Sequence, residues 1–357
     1  MQENIKLSVI DVENKYKDEY AYREYIYGKE EIVAYGNDNK LPILLNNVVK
    51  ECATLNSIIQ GTTNFILGDT IECNVESMKD KVNRTGMTIR ELVKLVALSY
   101  LKFGGFAIQV IYSKAGIPVE LYPLDFMKCR LNENKTKVFY AKNNWGKYTT
   151  KYEEFDRYDR KNIDWNKPTQ IFYYGNTDSY SFYPLPQYYS ALRDILTEIE
   201  CSKYSLNAIS RGFSAKYLFN IPQVSNLTDE QKEAIEEGIR NKFCNSENDA
   251  NFMLYFTDAD EKIEIQKIET DDTPERFIAV KDNARENIFV AMRATPNLFG
   301  LPSKTTGFNE QELSSAFKLF QKTVVQPIQD IIEESISKIF AIDKSIEITP
   351  FNINFNE

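Results

Sequence analysis

Histidine is absent from this 357-residue chain, and that omission alone removes several chemistries. Ser-His-Asp and Cys-His nucleophiles, His-Glu-x-x-His zinc sites and imidazole acid–base catalysis all need a side chain that the sequence lacks. Cysteine is scarce: Cys52, Cys73, Cys129, Cys201 and Cys244 are odd in number, far apart and without a Cys-x-x-Cys pattern. That is the usage expected of reduced thiols in a cytosolic protein. No apolar run reaches the roughly eighteen residues of a membrane span, and no signal-peptide core follows Met1. Basic residues are in deficit, 43 against 52 acidic, for a net charge of −9. A protein that wraps nucleic acid needs surplus Lys and Arg to neutralise phosphate. One that encloses DNA without gripping it does not.

What is present is ample apolar material, 43% of residues, in a length that allows two or three domains. The stretch from Thr273 to Phe340 reads as two helices joined by a proline-punctuated loop. The first opens with Thr273 as cap and Pro274 at the first helical position, and its apolar face is Phe277, Val280, Ala284, Ile288 and Ala291. Pro296 is expected to end it. Asn309 with Glu312 forms a capping-box pattern for the second helix. Its stripe runs from Leu313 through Phe317, Phe320, Val324, Ile328, Ile332 and Ile336 to Phe340, with Pro327 expected to kink it.

Residues 1–30 show no firm period and read as an arm or an early strand. Leu55, Ile58, Ile59, Thr62, Phe65 and Ile66 line a helical face that stops at Gly68. Thr88 with Glu91 announces another helix, carried by Leu92, Leu95, Val96, Ser99 and Tyr100 to Gly104. Strands are expected at Phe106 to Tyr112 and Val119 to Tyr122, then near residues 137–141, 147–152 and 170–174. The body is therefore of α+β rather than alternating βαβ character. After Tyr183-Pro184-Leu185-Pro186 a helix is expected over residues 188–210, with Leu192, Ile195, Leu196, Ile199, Leu206 and Ile209 on one face, a rod of roughly 35 Å. A small module follows, with strands at 216–221, 252–256 and 262–268 and a helix capped by Thr228 with Gln231. It is acidic: fifteen acidic and five basic residues fall between Asp229 and Glu275. Residues 345–355 read as a last strand returning to the body.

No motif here makes a strong catalytic case. Gly300-Leu301-Pro302-Ser303-Lys304-Thr305 carries part of a phosphate-loop pattern, but lacks the glycine before lysine and follows a helix. Asp258, Asp260, Glu261, Asp271 and Asp272 could supply oxygen ligands to a cation, but lack the spacing of a Ca²⁺ loop and read as a solvated acidic turn. Asp156 with Asp159 has the look of a glycosidase pair that arises by chance in so acidic a chain. Tyr173, Tyr174, Tyr180, Tyr183, Tyr188 and Tyr189 cluster before the rod and suggest an intersubunit contact. No metal and no cofactor is expected.

The order of elements resembles the portal, or head–tail connector, proteins of tailed bacteriophages. Tyr183-Pro184-Leu185-Pro186 before an apolar helix looks like that family's transition from body to stem. Ile288-Phe289-Val290-Ala291 with Pro296-Asn297-Leu298-Phe299-Gly300, and Asn309-Glu310-Gln311 leading to Phe317, Phe320, Val325 and Pro327, resemble its later motifs. The resemblance implies a non-enzymatic dodecameric ring at a capsid vertex of the virion, assembled in the bacterial host cytoplasm, through which the genome is packaged and ejected. It implies a wing body at 1–187, a first stem helix at 188–211, a clip at 212–272 and a second stem helix at 273–295. A tunnel loop at 296–309, a kinked tunnel helix at 310–340 and a final wing strand at 341–357 complete it, with the crown absent or vestigial. By the same resemblance Lys304, Thr305, Thr306 and Gly307 face DNA, and Asp258, Asp260, Glu261, Asp271 and Asp272 dock partners. Ile195, Ile199, Phe277 and Ile288 pack the stem. The implied partners are further copies of the chain, weakly contacted double-stranded DNA, a large terminase motor, a head–tail adaptor, and major capsid and scaffold proteins, with no membrane. Two other readings of the residues stand beside it: a carboxylate-dependent hydrolase of polysaccharide or phosphodiester, and another oligomeric tail or baseplate scaffold.

Overall fold

The computed structural model describes residues 25–145, 150–177, 181–210, 216–221, 228, 230–231, 233–234, 237–238, 252–256, 264–268, 274–301 and 310–351. They fall into two compact units, Met1–Leu192 with Ile288–Glu357, and Arg193–Asn287. Of the arm or early strand expected over residues 1–30, residues 1–24 lie outside the described residues.

The larger unit begins with a hairpin of β1 (Ile26–Tyr27) and β2 (Ile32–Val33). Helix α1 (Leu41–Glu51) follows, with Pro42 in its first turn, where a missing N–H is harmless. Cys52 is extended and separates it from α2 (Ala53–Leu67), its sulfur accepting from the Leu55 N–H at 3.5 Å. The α2 face is the one the periodicity predicts, with Leu55, Ile58, Ile59, Thr62 and Ile66 buried. Gly68 stops the helix at φ +56°, and a Cβ there would lie 2.0 Å from the Thr349 carbonyl oxygen. No other residue fits. Strand β3 (Ile71–Cys73) follows. Helix α3 (Ile89–Phe103) has the full capping box, Thr88 and Glu91 each satisfying the other's backbone, and ends on a left-handed Gly104. Its buried face is Ile89, Leu92, Val93, Val96, Ala97 and Leu101. Leu95, expected inside, is 43% exposed, because the stripe is centred on the 92/93 and 96/97 pairs.

Strands β4 (Gly105–Tyr112), β5 (Pro118–Leu124), β6 (Cys129–Leu131), β7 (Lys137–Ala141), β8 (Tyr152–Arg157) and β9 (Thr169–Gly175) form one sheet in the order β5-β4-β9-β8-β7-β6. All neighbours are antiparallel except β8 and β9. Of the strand expected over 147–152, residues 147–149 lie outside the described residues, and β8 itself runs from Tyr152 to Arg157; β6 carried no sequence signal strong enough to be expected. The central strands are buried on both faces: Phe106, Ala107, Ile108 and Val110 are all enclosed.

Helix α4 (Leu192–Ser210) is preceded by a single 3₁₀ turn over Gln187–Ala191, so the expected rod is helical throughout. Strands β10 (Lys216–Ile221), β11 (Phe252–Phe256) and β12 (Glu264–Ile268) make a three-stranded sheet in the smaller unit. β10 is central, parallel to β11 and antiparallel to β12. Of the capping arrangement expected at Thr228, the reach-back bond is present, the Thr228 N–H donating to Gln231 Oε1 at 3.0 Å. Helix α5 (Pro274–Ala291) follows; its expected cap at Thr273 lies outside the described residues.

Helix α6 (Glu310–Phe320), a π-helical segment (Gln321–Val325) and α7 (Gln326–Phe340) form one continuous helical element. The long stripe is buried as expected at Phe317, Phe320, Val324, Ile328, Ile332, Ile336 and Phe340. Pro327 lies in the first turn of α7, directly after the π segment. A widened ladder there accommodates a residue that cannot donate to the preceding turn. Gln329 Nε2 ties the element to α2 through the Ile66 carbonyl, 2.9 Å away. The last strand, β13 (Ile346–Ile348), returns to the body as expected and pairs antiparallel with β3.

Candidate functional site: a pinned loop root and a buried arginine

Helix α5 does not run to Pro296. It ends at Ala291 in a Schellman motif, with Arg293 left-handed at φ +50°. The Ala294 N–H reaches the Phe289 carbonyl at 2.9 Å and the Arg293 N–H the Val290 carbonyl at 3.0 Å. The freed chain makes a 3₁₀ turn over Pro296–Phe299 and leaves it through Gly300 at φ +82°. Phe299 anchors that turn. Its ring centroid lies 6.3 Å from Phe65, 6.2 Å from Phe289 and 5.7 Å from Phe320. Gly61 makes room for it, since a Cβ there would sit 2.7 Å from the Phe299 ring. Phe317 and Phe320 also pack on Phe65, at 5.7 and 5.9 Å. Both ends of the 302–309 stretch are thus rooted in one aromatic cluster. Lys304, Thr305, Thr306 and Gly307 lie outside the described residues.

The π segment at this root carries an anomaly. Both amide atoms of Gln321 are buried without a hydrogen-bond partner. Nearby, Thr323 Oγ1 donates back to the Leu319 carbonyl at 2.7 Å. A cavity of about 300 Å³ opens beside the segment, lined by Tyr100, Asn176, Arg293, Thr323, Val324 and Pro327 among others.

A second constellation ties the amino-terminal hairpin to the sheet. Arg130 on β6 is fully buried, although the surrounding sequence gives no hint beyond a charge between Cys129 and Leu131. Its Nε donates to Asn39 Oδ1 at 2.5 Å, Nη1 to the Met127 and Cys129 carbonyls at 3.0 and 2.7 Å, and Nη2 to the Asn39 carbonyl at 2.8 Å. Asn39 is held left-handed at φ +63°. Its Oδ1 also accepts from the Tyr35 N–H at 2.9 Å, and its Nδ2 donates to Tyr27 Oη at 2.8 Å. The guanidinium lies 5.5 Å from the Tyr35 ring and 5.2 Å from Trp145. Tyr35 stacks on Tyr183 at 4.3 Å, its hydroxyl donating to the Pro184 carbonyl. Tyr183 Oη accepts from the Leu131 N–H at 2.9 Å and donates to the Val33 carbonyl at 2.7 Å. Burial pulls the Arg130 guanidinium below its ordinary value and pushes the Tyr27 phenol up to about 12.

These contacts correct one expectation. Tyr183 and Tyr188 are wholly enclosed and Tyr173 is 6% exposed, so they belong to the core and cannot supply an intersubunit contact. Tyr188 donates to the Lys102 carbonyl at 2.7 Å. Tyr174 and Tyr189 are half-buried, and Tyr180 lies outside the described residues.

Of the four residues expected to pack a stem, Ile195, Ile199 and Ile288 are buried within the single chain. Phe277 is half-buried and stacks on Tyr204 at 4.6 Å, while Asn287 Nδ2 donates to Asp194 Oδ1 at 2.8 Å. Val280, expected on the inner face, is 47% exposed. Among the described residues, the apolar side chains that these helices leave most exposed are Val290, Leu206 and Ile278, at 75%, 63% and 61%. Sequence reasoning placed Leu206 inside and passed over Ile278, since a helical period cannot say which apolar face meets its own chain. Asp258, Asp260, Glu261, Asp271 and Asp272 lie outside the described residues. Asp159 accepts from the Lys161 N–H and from Asn162 Nδ2, which hold its carboxyl below the usual range. It is an exposed turn residue.

A family model described as phage portal protein matches residues 76–356. Among solved structures, the virion of a native gene transfer agent particle contains a chain with a TM-score of 0.58 and 15% identity, over 92% of this chain and 85% of that one. A neck of the native gene transfer agent particle, computed with C12 symmetry, gives 0.56 and 15% over 93% and 86%. A crystal structure of an HK97-family phage portal protein from Corynebacterium diphtheriae gives 0.54 and 12% over 86% and 95%. No curated protein sequence matches the chain.

Proposed function

The chain belongs to the phage portal protein family, and from that premise we propose that it is the ring-forming subunit of a capsid-vertex channel for genome packaging and ejection. The observation that supports this most is the order of elements within the matched stretch. An α+β body is followed by a 19-residue helix, a small three-stranded module, an 18-residue helix, a short anchored turn and a long broken helix. In this reading α4 and α5 are the stem, residues 212–272 the clip and 296–309 the tunnel loop. The role is structural rather than catalytic.

Twelve copies would form the ring. Leu206 and Ile278, exposed in one chain, would be covered by a neighbour, because apolar area left in water is the chief driving force for such association. The acidic clip would dock basic surfaces of a large terminase motor and a head–tail adaptor, with major capsid and scaffold proteins around the body. Lys304 would be the loop's one basic contact to DNA, weak enough for the duplex to slide. Electron micrographs of purified protein test the ring. The double variant Leu206→Glu, Ile278→Glu is expected to leave folded monomers, and rings formed at the wild-type level would overturn the stem assignment. Lys304→Glu is expected to leave rings intact and alter DNA retention, and Gly307→Pro to stall packaging. Normal packaging by Gly307→Pro rings would overturn the channel assignment of the loop.

A further inference from the structure

Beside the arginine constellation lies a cavity of about 570 Å³, open to solvent, that the portal reading does not use. Tyr25, Tyr27, Trp145 and Tyr152 line it together with the carboxylate side chains Glu30 and Asp38. Tyr25 and Tyr27 lie 5.9 Å apart and tilted, and Trp145 and Tyr152 stack at 5.7 Å. Aromatic faces carry negative potential and attract cations, most strongly when several converge. The Trp145 indole already holds one cation, Arg130 at 5.2 Å. Tyr27 and Tyr152 are held as neutral phenols, with burial the first cause in each and the Glu30 charge adding to it at Tyr152. Glu30 is on an exposed turn. Asp38 has Lys40 at 3.6 Å, an ion pair about half exposed on both sides and so easily displaced.

Four rings and two carboxylates around one opening make a receptor for a compact positive charge carried on apolar carbon. We propose that this cup binds an alkylammonium group, carried either by a lysine side chain of a second copy of this chain or by a free organic amine. The proposal stands independently of the ring reading, since it rests on the cup alone.

The test uses the full chain with Trp165→Phe, which removes the second of two tryptophans at a 56% exposed position and leaves Trp145 as reporter. Tetramethylammonium is the probe and tert-butanol its neutral counterpart. A saturable change in Trp145 emission is expected with tetramethylammonium only. Tyr25→Leu and Glu30→Gln, both at exposed positions, are expected to weaken it roughly three- to tenfold each. A second arm identifies the source. Light and ¹⁵N-labelled chains are mixed before assembly, treated with a zero-length carbodiimide and digested. A Glu30–lysine cross-link joining light to heavy peptide assigns the ammonium to a second copy; saturable tetramethylammonium binding without such a cross-link assigns it to a free amine. The proposal is overturned if tetramethylammonium gives no saturable response, if tert-butanol gives the same one, or if both variants respond as the parent does.

Discussion

Arg130 and Gln321 are both polar side chains enclosed by the larger unit, and the fold treats them in opposite ways. Arg130 makes four hydrogen bonds to groups drawn from the turn before α1, the residues just ahead of its own strand and that strand itself, and two rings pack on its guanidinium. Gln321 makes none. A buried donor without a partner keeps its desolvation penalty, about 1–3 kcal/mol, whereas a satisfied network fixes one arrangement of everything it touches. The hairpin side of the unit is therefore over-determined. The helical element behind the loop root holds an unmet demand at the point where its ladder widens from α to π. Pro327 lies two residues past the end of the π segment, and a cavity opens beside it. The satisfied side is not perfect, since the Tyr173 hydroxyl near it also lacks a partner.

The largest expected effect comes from breaking the satisfied side. Arg130→Met strips Asn39 and two carbonyls of their donor and is expected to destabilise the chain by about 3–5 kcal/mol, since each hydrogen bond to a charged group is worth about 1.5–3 kcal/mol. Urea denaturation measures it. A loss below about 1 kcal/mol would mean that the network is ornamental.

Gly68→Ala is expected to rank next. The new Cβ meets the Thr349 carbonyl at 2.0 Å in a conformation reserved for glycine, a strain of about 1–3 kcal/mol. Loss of amide-exchange protection across β3 and β13, with the six-stranded sheet unaffected, is the expected signature. Uniform loss of protection would contradict it.

Gln321→Met sharpens the comparison from the other side. It removes an unpaired amide at similar volume and is expected to stabilise by about 1 kcal/mol, read as a raised denaturation midpoint at unchanged m-value. Destabilisation would show that Gln321 contributes where it stands.

The smallest effect is set by pH. Folding raises the Tyr27 phenol from 10.0 to about 12, chiefly by burial. A group whose folded value is raised contributes its stability fully below the unfolded value, so this contribution is present below pH 10 and lost between about 10 and 12. Phenolate absorbance is expected to lag behind that of free tyrosine on alkaline titration and to rise together with loss of the hairpin. Ionisation at the ordinary value, with the hairpin intact, would contradict the burial argument.

Much of the architecture is legible because it is local. Thr88 and Glu91 lie three residues apart, and the stops at Gly68 and Gly104 act on the turn just made. The stripe from Phe317 to Phe340 follows from a 3.6 period that needs no knowledge of what it packs against. The same locality explains the misses. Leu95 and Leu206 satisfy the period but face water. Pro296 was the visible helix stop, yet Arg293 in a left-handed conformation ended α5 earlier, a choice that no proline or glycine announced.

By itself, then, the sequence determined which segments are helix and strand, where most of them begin and end, and which catalytic chemistries are out of reach. Those properties depend on neighbours a few residues apart and on residue types that are present or missing. Only the tertiary structure decided that Arg130 is the fulcrum of the hairpin, held by Asn39 from ninety-one residues away. It alone decided that Gly61 exists to admit Phe299, and that Tyr173, Tyr183 and Tyr188 are core rather than surface. A contact between distant residues leaves no period in the chain. Its free energy appears only when the fold brings the partners together and water is expelled from between them.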